Sequence, residues 1–198
     1  MRLALLLSAL LPATAAFAQT VPSYQPLTGS QRWHRYWKDT ILSPGLYFAA
    51  AGAASGAQLG NDPPEWGQGV EGYAKRSASL LGTFVLQETI HQGGAALLGY
   101  DPRYQNCACK GFFSRSGHAI KWTFLTRNTK GAARFNLPLA ASAYGSGMLS
   151  MYWYPARFNP LSDGVRLGNQ QMGFEVGVSL LREFTPELKR LFKLRKKP

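Results

Sequence analysis

The run AAAGAASGAQLG, residues 49–60, places small side chains at every fourth position. Gly52, Gly56 and Gly60 form one row, and a row of alanines lies beside it. A glycine inside a helix costs about 1 kcal/mol relative to alanine, so a row of them needs a compensating contact. Close approach of a second helix is such a contact, in lipid or in a soluble bundle. The same spacing recurs at two further glycine pairs, Gly164 with Gly168 and Gly173 with Gly177.

Apolar residues at helical spacing continue on both sides of this run. They predict helices near residues 30–41, 44–60, 73–93 and 137–153, and a final helix after residue 164. Ser30 is the expected cap of the first helix, and Thr185-Pro186 is expected to break the last one. The segment from Ile120 to Phe124 fits a helix and a strand almost equally well. The prediction is an all-α fold: residues 19–198 form one helical domain with close Gly/Ala-mediated packing and a basic C-terminal helix.

The composition fits one packed domain and argues against wholesale disorder. The chain has 198 residues, of which 45% are hydrophobic and 16% charged. Two windows, Thr40–Asn61 and Phe135–Ala156, carry no formal charge and are long enough to cross a bilayer. They are rich in small and polar residues, which favours buried helices over membrane spans. Integral assembly in a membrane through the glycine rows remains an alternative.

Residues 1–18 have the parts of a secretory signal peptide. Arg2 precedes the apolar stretch Leu3–Leu11, and Ala16-Phe17-Ala18 is a small-x-small cleavage site. An uncleaved membrane anchor is the alternative, but the apolar stretch is short and Pro12 follows it. We therefore expect export and cleavage after Ala18.

The C-terminal segment is strongly basic, in a chain with 22 Lys and Arg against 10 Asp and Glu. Its cations are Lys189, Arg190, Lys193, Arg195, Lys196 and Lys197. An apolar stripe through Leu181, Phe184 and Leu188 lies beside them at helical spacing. The helix could lie on an anionic lipid surface, where each cation contributes about 1 kcal/mol. It could equally be a solvated helix end whose cations suit the helix dipole. A nucleic-acid partner is not expected for an exported chain.

The sequence contains no complete catalytic motif of the kinds considered below. Glu88 and His91 have the Glu-x-x-His spacing of di-iron bundles, but the sequence has no second motif of this kind. His91 is more simply a helix residue bonded to Glu88 or to solvent. Ser114, Ser116 and His118 cluster without the G-x-S-x-G elbow of a hydrolase. We therefore predict no catalytic residue, no metal and no other cofactor.

Two loop motifs leave alternatives open. Asp101-Pro102-Arg103-Tyr104 predicts a turn in which Arg103 pairs with an acid, the alternative being an Arg103 that binds an anionic headgroup at a cleft. Cys107 and Cys109 would meet an oxidising compartment after export. They could form a tight disulfide, remain free thiols or hold a soft metal together with His118. The disulfide is the favoured interpretation, as local structure.

Several segments resemble, in their order, a family of uncharacterised exported proteins of the acidobacterial type. The segments are Glu88–Tyr104, Phe124–Arg127, Phe135-Asn136 and Tyr152–Pro155. The resemblance spans about residues 73–155, and the order of the motifs is more telling than any single one. It implies a secreted or envelope helical protein and transfers no catalytic residue, because the family has no known activity. Cys107 and Cys109 lie outside the pattern.

These features predict an exported, envelope-associated protein with a structural or interaction role at a membrane surface. The expected partners are anionic lipid at the basic end, and a protein neighbour or a second copy at the small-residue helix, residues 52–60. The alternative is an envelope enzyme acting on lipid or cell-wall material. Its polar side chains would be Glu88, His91, Arg103 and His118, and their convergence in one pocket would favour it.

Overall fold

The computed structural model describes the main chain of residues 24–195 and the side chains of residues 24–190. The predicted signal peptide, Lys196 and Lys197 lie outside these residues. Of the basic C-terminal side chains, those of Lys189 and Arg190 are described.

The chain is mostly helical, as predicted, with one small sheet. The α-helices are α1 (Gly29–Tyr36), α2 (Pro44–Leu59), α3 (Gly69–Leu97), α4 (Phe112–Phe124), α5 (Leu137–Ser150) and α6 (Ser162–Arg195). A π-helical turn, Trp37–Ile41, extends α1, and 3-10 turns lie at Pro64–Trp66 and Met151–Trp153. The strands are β1 (Tyr100–Asp101), β2 (Leu125–Asn128) and β3 (Ala133–Phe135). They pair antiparallel in the order β1-β2-β3, with Asp101 opposite Arg127 and Leu125 opposite Phe135.

Local sequence signals place most helix boundaries. Pro44 occupies the first turn of α2 and Gly60 ends that helix, as predicted. Thr28, not Ser30, caps α1: its Oγ1 accepts a hydrogen bond from the Gln31 N–H at 3.3 Å. The ambiguous segment forms both structures in succession, because α4 ends at Phe124 and β2 begins at Leu125.

The helices surround an interior of small and polar side chains. α5 packs against both α3 and α6, while α2 packs on α3 and α4 on α6. One face of α5 buries Ser142, Ser146 and Ser150, whose hydroxyls donate to carbonyls of their own helix. Several large apolar side chains point outward instead, with Leu59 and Leu97 each 89% exposed. Small interior residues let the helices approach closely, which fits the predicted Gly/Ala packing.

No helix between residues 24 and 195 combines the length and the apolar character that crossing a membrane requires.

Glycine-mediated contact occurs where α5 crosses α6. A methyl group at Gly147 would collide with the Gly164 carbonyl, and one at Gly164 would lie 2.6 Å from Met148 Cα. Gly168 packs against Tyr144 in the same way. The backbones meet here because these three positions carry no side chain.

Of the glycine rows with packing spacing, only the pair Gly164 and Gly168 thus makes a close contact. The row on α2 and the pair Gly173 and Gly177 make none with another element of the described chain. Among residues 24–195, no atom of another element lies within 4 Å of a methyl group placed at Gly52, Gly56, Gly173 or Gly177, and Gly60 meets only the end of its own helix. α2 buries Ala50 and Ala54 instead. Gly52 lies two positions from Ala50, about 200° around the helix, and therefore faces away from α3.

α6 continues through Pro186, so the predicted break at Thr185-Pro186 is wrong. A proline inside a helix leaves the carbonyl four residues earlier without its usual partner. That carbonyl belongs to Arg182, and it accepts a hydrogen bond from Asn106 Nδ2 at 3.0 Å. A side chain distant in sequence thus replaces the missing amide.

Arg76 of α3 holds the loop between α2 and α3. It is fully buried and its guanidinium donates to the carbonyls of Asp62 at 3.0 Å, Pro63 at 2.8 Å and Gly67 at 2.8 Å. A fourth bond, 2.7 Å long, joins Arg76 to Gln58 Oε1. All these bonds serve the local fold, so Arg76 is a structural residue that sequence analysis did not identify.

Candidate functional site

The helices α3 and α6 both pack on α5 and border a cavity of about 370 Å³. α3 contributes Glu88, His91 and Gln92, and α6 contributes Glu175 and Arg182. The rest of the polar lining is Arg35, Asp39 and Ser43. We call this space the carboxyl cavity.

The two glutamates of the carboxyl cavity are sparsely hydrogen-bonded. Gln92 Nε2 donates to Glu88 Oε2 at 3.3 Å, and Gln87 Nε2 donates to Glu175 Oε1 at 3.3 Å. Burial raises the pKa of Glu88. Burial, and then the negative charge of Glu88, raise the pKa of Glu175 to about 7, against the opposing charge of Arg182. Glu175 therefore exchanges its proton near neutral pH.

His91 adds a neutral imidazole to the same cavity. Burial, followed by the positive charges of Arg182 and Arg35, lowers the pKa of His91 to about 4. Its Nε2 is buried and has no hydrogen-bond partner among the described residues. The predicted bond to Glu88 is not formed.

A basic cleft of about 670 Å³ adjoins the carboxyl cavity. Its five cationic side chains are those of Arg35, Arg103, Arg115, Arg182 and Lys189. No acidic side chain among residues 24–190 lines this cleft. Arg35 and Arg182 line the cleft and the cavity alike, so they stand at the junction of the two spaces.

Arg103 of the cleft forms an ion pair with Asp101, which confirms the predicted pairing of Arg103 with an acid. Arg103 Nε lies 2.9 Å from both carboxylate oxygens, and the Arg103 N–H donates to Oδ1 at 3.0 Å. Tyr24 donates to Oδ2 at 2.7 Å. Burial alone would raise the pKa of Asp101, but these hydrogen bonds outweigh burial and hold it below its ordinary value. The contact ties the segment before α1 to the end of β1.

Glu183 of α6 anchors a second polar cluster and is 0% exposed. Tyr104 donates to its Oε2 at 2.6 Å, the Cys107 N–H lies 3.1 Å from both oxygens, and Arg115 Nε lies 3.2 Å from Oε1. His118 Nδ1 is 3.5 Å from Oε2. Burial would raise the pKa of Glu183, but these hydrogen bonds lower it below its ordinary value.

The four residues of the predicted enzyme set therefore do not converge in one pocket. Glu88 and His91 line the carboxyl cavity, and Arg103 lines the adjoining cleft. His118 lies with Glu183 in the second cluster. Glu175 and Arg182 were not identified from the sequence, because α6 carries many other polar and charged residues and no motif singles these two out.

Cys107 and Cys109 form a disulfide, the favoured one of the three alternatives, with Cα atoms 5.1 Å apart. Cys107 also lines the basic cleft. No group of three or more His, Cys, Asp and Glu side chains in the described part of the chain is arranged to hold a metal ion.

The basic end of α6 meets the start of α4 in an exposed surface. Phe112 stacks on Phe184 with ring centroids 5.3 Å apart, and Arg115 lies over the Phe184 ring at 4.5 Å. Phe113 is 87% exposed. We define the aromatic-basic patch as the exposed apolar and basic side chains around this contact: Lys110, Phe112, Phe113, Leu188, Lys189 and Arg190. The exposed Glu187 lies beside them, paired with Arg115.

Comparisons with protein-family models, curated proteins and solved structures give no match. The family resemblance of residues 73–155 therefore stays a prediction.

Proposed function

We propose that the protein is an exported, envelope-associated helical protein that attaches peripherally to an anionic membrane surface. The aromatic-basic patch carries this proposal. Exposed aromatic rings enter the interfacial region of a bilayer, while neighbouring cations bind anionic headgroups. Phe112 and Phe113 supply the rings, and Lys189 and Arg190 supply the charges.

The packing of this surface favours attachment by a preformed patch. Phe184 is held by Phe112 and Arg115, and Arg115 is bonded to Glu187 at 2.6 Å. The start of α4 and the end of α6 are thus fixed to each other, so Phe113 and Arg190 need no refolding to reach a membrane together. Each cation near an anionic surface contributes about 1 kcal/mol, and high salt screens that contribution.

Flotation with vesicles tests this attachment. The mature chain is expected to float with phosphatidylglycerol vesicles, to remain behind with phosphatidylcholine vesicles and to be released by high salt. Phe113→Ser combined with Arg190→Gln should reduce flotation several-fold. Phe48→Ser combined with Arg134→Gln is the matched control, because both side chains are exposed and lie outside the patch. Equal flotation of both double variants would contradict the proposal.

Washing of native membranes tests the mode of attachment. A peripheral protein leaves the membrane in a high-salt wash. Retention through both high-salt and alkaline carbonate washes would contradict peripheral attachment, and a protein found wholly in the periplasmic fraction would contradict attachment altogether.

Contact with a protein neighbour through α2 is the second part of the proposal. Gly52 and Gly56 are exposed and nothing in the described chain packs on them. Gly56→Leu should stabilise the monomer by up to about 1 kcal/mol, because it removes a glycine from a helix in open space, and should reduce self-association in sedimentation velocity. Unchanged sedimentation would remove self-association through this face.

An envelope enzyme is a second candidate function, favoured by the shared cavity of Glu88, His91 and Glu175. A carboxyl whose pKa is about 7 accepts and releases protons at neutral pH, as general acid-base catalysis requires. Mass spectrometry of products released from anionic phospholipid vesicles and from cell-wall sacculi tests it. Glu175→Gln should abolish any release, whereas His118→Asn, outside the cavity, should retain it. Absence of products from both materials would contradict this candidate.

A further inference from the structure

Two residues at the junction of the basic cleft and the carboxyl cavity, Arg35 and Arg182, and one in the cavity, His91, carry polar groups without a hydrogen-bond partner in the described chain. Arg35 Nε and His91 Nε2 are both buried without a hydrogen bond. The Arg182 side chain lines both spaces and forms no ion pair or side-chain hydrogen bond with residues 24–190. A buried donor such as Arg35 Nε costs about 1–3 kcal/mol when it is left unpaired, so a ligand that supplies an acceptor here would be stabilised. The exposed Arg182 guanidinium pays no such cost but has no protein acceptor to compete with a ligand.

We propose that Arg35 and Arg182 form a binding site for a phosphate-type oxyanion, either free phosphate or a phosphate ester. Arg182 provides a guanidinium without a protein acceptor, and Arg35 provides its buried Nε. This inference goes beyond membrane attachment, since it assigns a discrete ligand site to the cleft beside the aromatic-basic patch, with Lys189 common to both.

The charge of the surroundings supports an anion. The five cations of the cleft include Arg103 and Arg115, which are bonded to Asp101 and to Glu183 with Glu187. Arg35 has one ion pair, with Asp39 at 3.2 Å. Lys189 forms no ion pair with the described residues and so adds positive charge to the cleft. Arg182 is opposed by the charges of Glu88 and Glu175 in the adjoining cavity.

The geometry favours a tetrahedral oxyanion over a carboxylate. A single arginine fork satisfies both oxygens of a carboxylate, whereas a phosphate offers oxygens in several directions. Here the donors come from α1 and from two turns of α6, so they approach the junction from different helices. A phosphate group can accept from Arg35, Arg182 and Lys189 together.

The raised pKa of Glu175 also limits repulsion of an anion. A fully ionised pair of glutamates beside the arginines would oppose anion binding. With Glu175 partly protonated near neutral pH, its carboxyl can also donate to a ligand oxygen. Ligands that carry a hydroxyl beside the phosphate would thus fit both spaces.

Isothermal titration tests the site with two soluble probes, inorganic phosphate and glycerol 3-phosphate, at constant ionic strength. At least one probe should bind saturably, and at least tenfold more tightly than acetate. Arg182→Gln should weaken binding at least tenfold, with partial recovery in Arg182→Lys. Arg166→Gln is the matched control, because Arg166 lies on the same helix about four turns away and outside the junction.

The relative affinities identify the source of the anion. Tighter binding of glycerol 3-phosphate indicates an esterified headgroup, and tighter binding of inorganic phosphate indicates the free ion. Absence of saturable binding of both probes would overturn the site, as would equal binding by the wild type and Arg182→Gln. The Phe113→Ser/Arg190→Gln variant should still bind the soluble probe, which separates this inference from membrane attachment.

Discussion

Glu175 and Glu183 lie about two turns apart on α6 and differ in their hydrogen-bond partners and in the direction of their pKa shifts. Glu183 accepts hydrogen bonds from Tyr104, Cys107 and Arg115, and its pKa is lowered. Glu175 has one long bond, from Gln87, and its pKa is raised to about 7. Both carboxyls are largely removed from water, but only that of Glu183 accepts several hydrogen bonds in place of its hydration.

This difference makes Glu183 a structural carboxylate and leaves the carboxyl of Glu175 available to a ligand. Burial of a charge is tolerated when hydrogen bonds and an opposite charge replace its hydration. Glu183 meets that condition and connects α6 to α4 and to the cysteine loop. Glu175 does not, and it faces a cavity in which His91 and Arg35 also hold unpaired groups. The available group is therefore the better candidate for ligand chemistry.

The largest effect is expected from Glu183→Ala. Removing the carboxylate leaves the buried donors of Tyr104, Cys107 and Arg115 without an acceptor, which should lower the free energy of unfolding by about 3–5 kcal/mol. Glu183→Gln keeps one acceptor oxygen and should cost less. Urea denaturation measures both changes. A loss below about 1 kcal/mol for Glu183→Ala would show that the cluster contributes little to the fold.

Glu175→Gln should have the opposite sign and depend on pH. An acid whose pKa rises from 4.5 to about 7 on folding binds its proton more tightly in the folded state. Below pH 4.5 the carboxyl is protonated in both the folded and the unfolded state, so its raised pKa does not affect stability there. The free energy of unfolding falls as the pH rises from 4.5 towards 7. Glu175→Gln removes this loss and should stabilise the protein by about 2–3 kcal/mol at pH 8, with little effect at pH 4.

Unfolding temperatures across pH 4–9 measure this difference. His91 has the reverse dependence, because its pKa is lowered to about 4 and stability falls as the pH drops below 6.5. That acid-side loss is common to the wild type and Glu175→Gln, so comparison of the two isolates Glu175. A parallel pH profile in both proteins would mean that Glu175 titrates normally.

Sequence analysis predicted the features that depend on neighbouring residues. Pro44 and Gly60 bound α2 because their backbone preferences are local. The Asp101–Arg103 pair could be predicted because its members lie two positions apart. The path of α6 through Pro186 could not, since the acceptor is satisfied by Asn106, which is 76 residues away in the sequence.

The candidate site shows the same limit. Glu88 and His91 were identified from their spacing within one helix. Glu175 and Arg182 come from a different helix, and only the packing of α3 and α6 on α5 brings them to the same cavity. The glycine row of α2 had the right spacing for a packed face, but the sequence does not specify which side of the helix meets α3.

Tyr104→Phe tests the structural cluster with a smaller change. It removes the 2.6 Å bond to Glu183 and should lower the free energy of unfolding by about 1–2 kcal/mol at neutral pH. The pKa of Glu183 is lowered on folding, so its bonds stabilise the protein above the unfolded pKa and the gain is lost in acid. The difference between the wild type and Tyr104→Phe should therefore shrink as the pH falls. A difference that persists in acid would assign the effect to packing of the ring.

The smallest change in stability is expected from Arg182→Gln, although this substitution should alter the pKa of Glu175. Arg182 is exposed and has no described ion pair, so its replacement should change the free energy of unfolding by less than about 0.5 kcal/mol. Its positive charge opposes the rise in the pKa of Glu175, and removing that charge should move this pKa above about 7.

Titration of the glutamate carboxyl carbons by NMR measures the shift. Glu183 should titrate as in the wild type, because its partners are Tyr104, Cys107 and Arg115. If the pKa of Glu175 stayed unchanged while that of Glu183 shifted, the charge of Arg182 would act on the Glu183 cluster instead. The distinction between the two carboxyls would then fail.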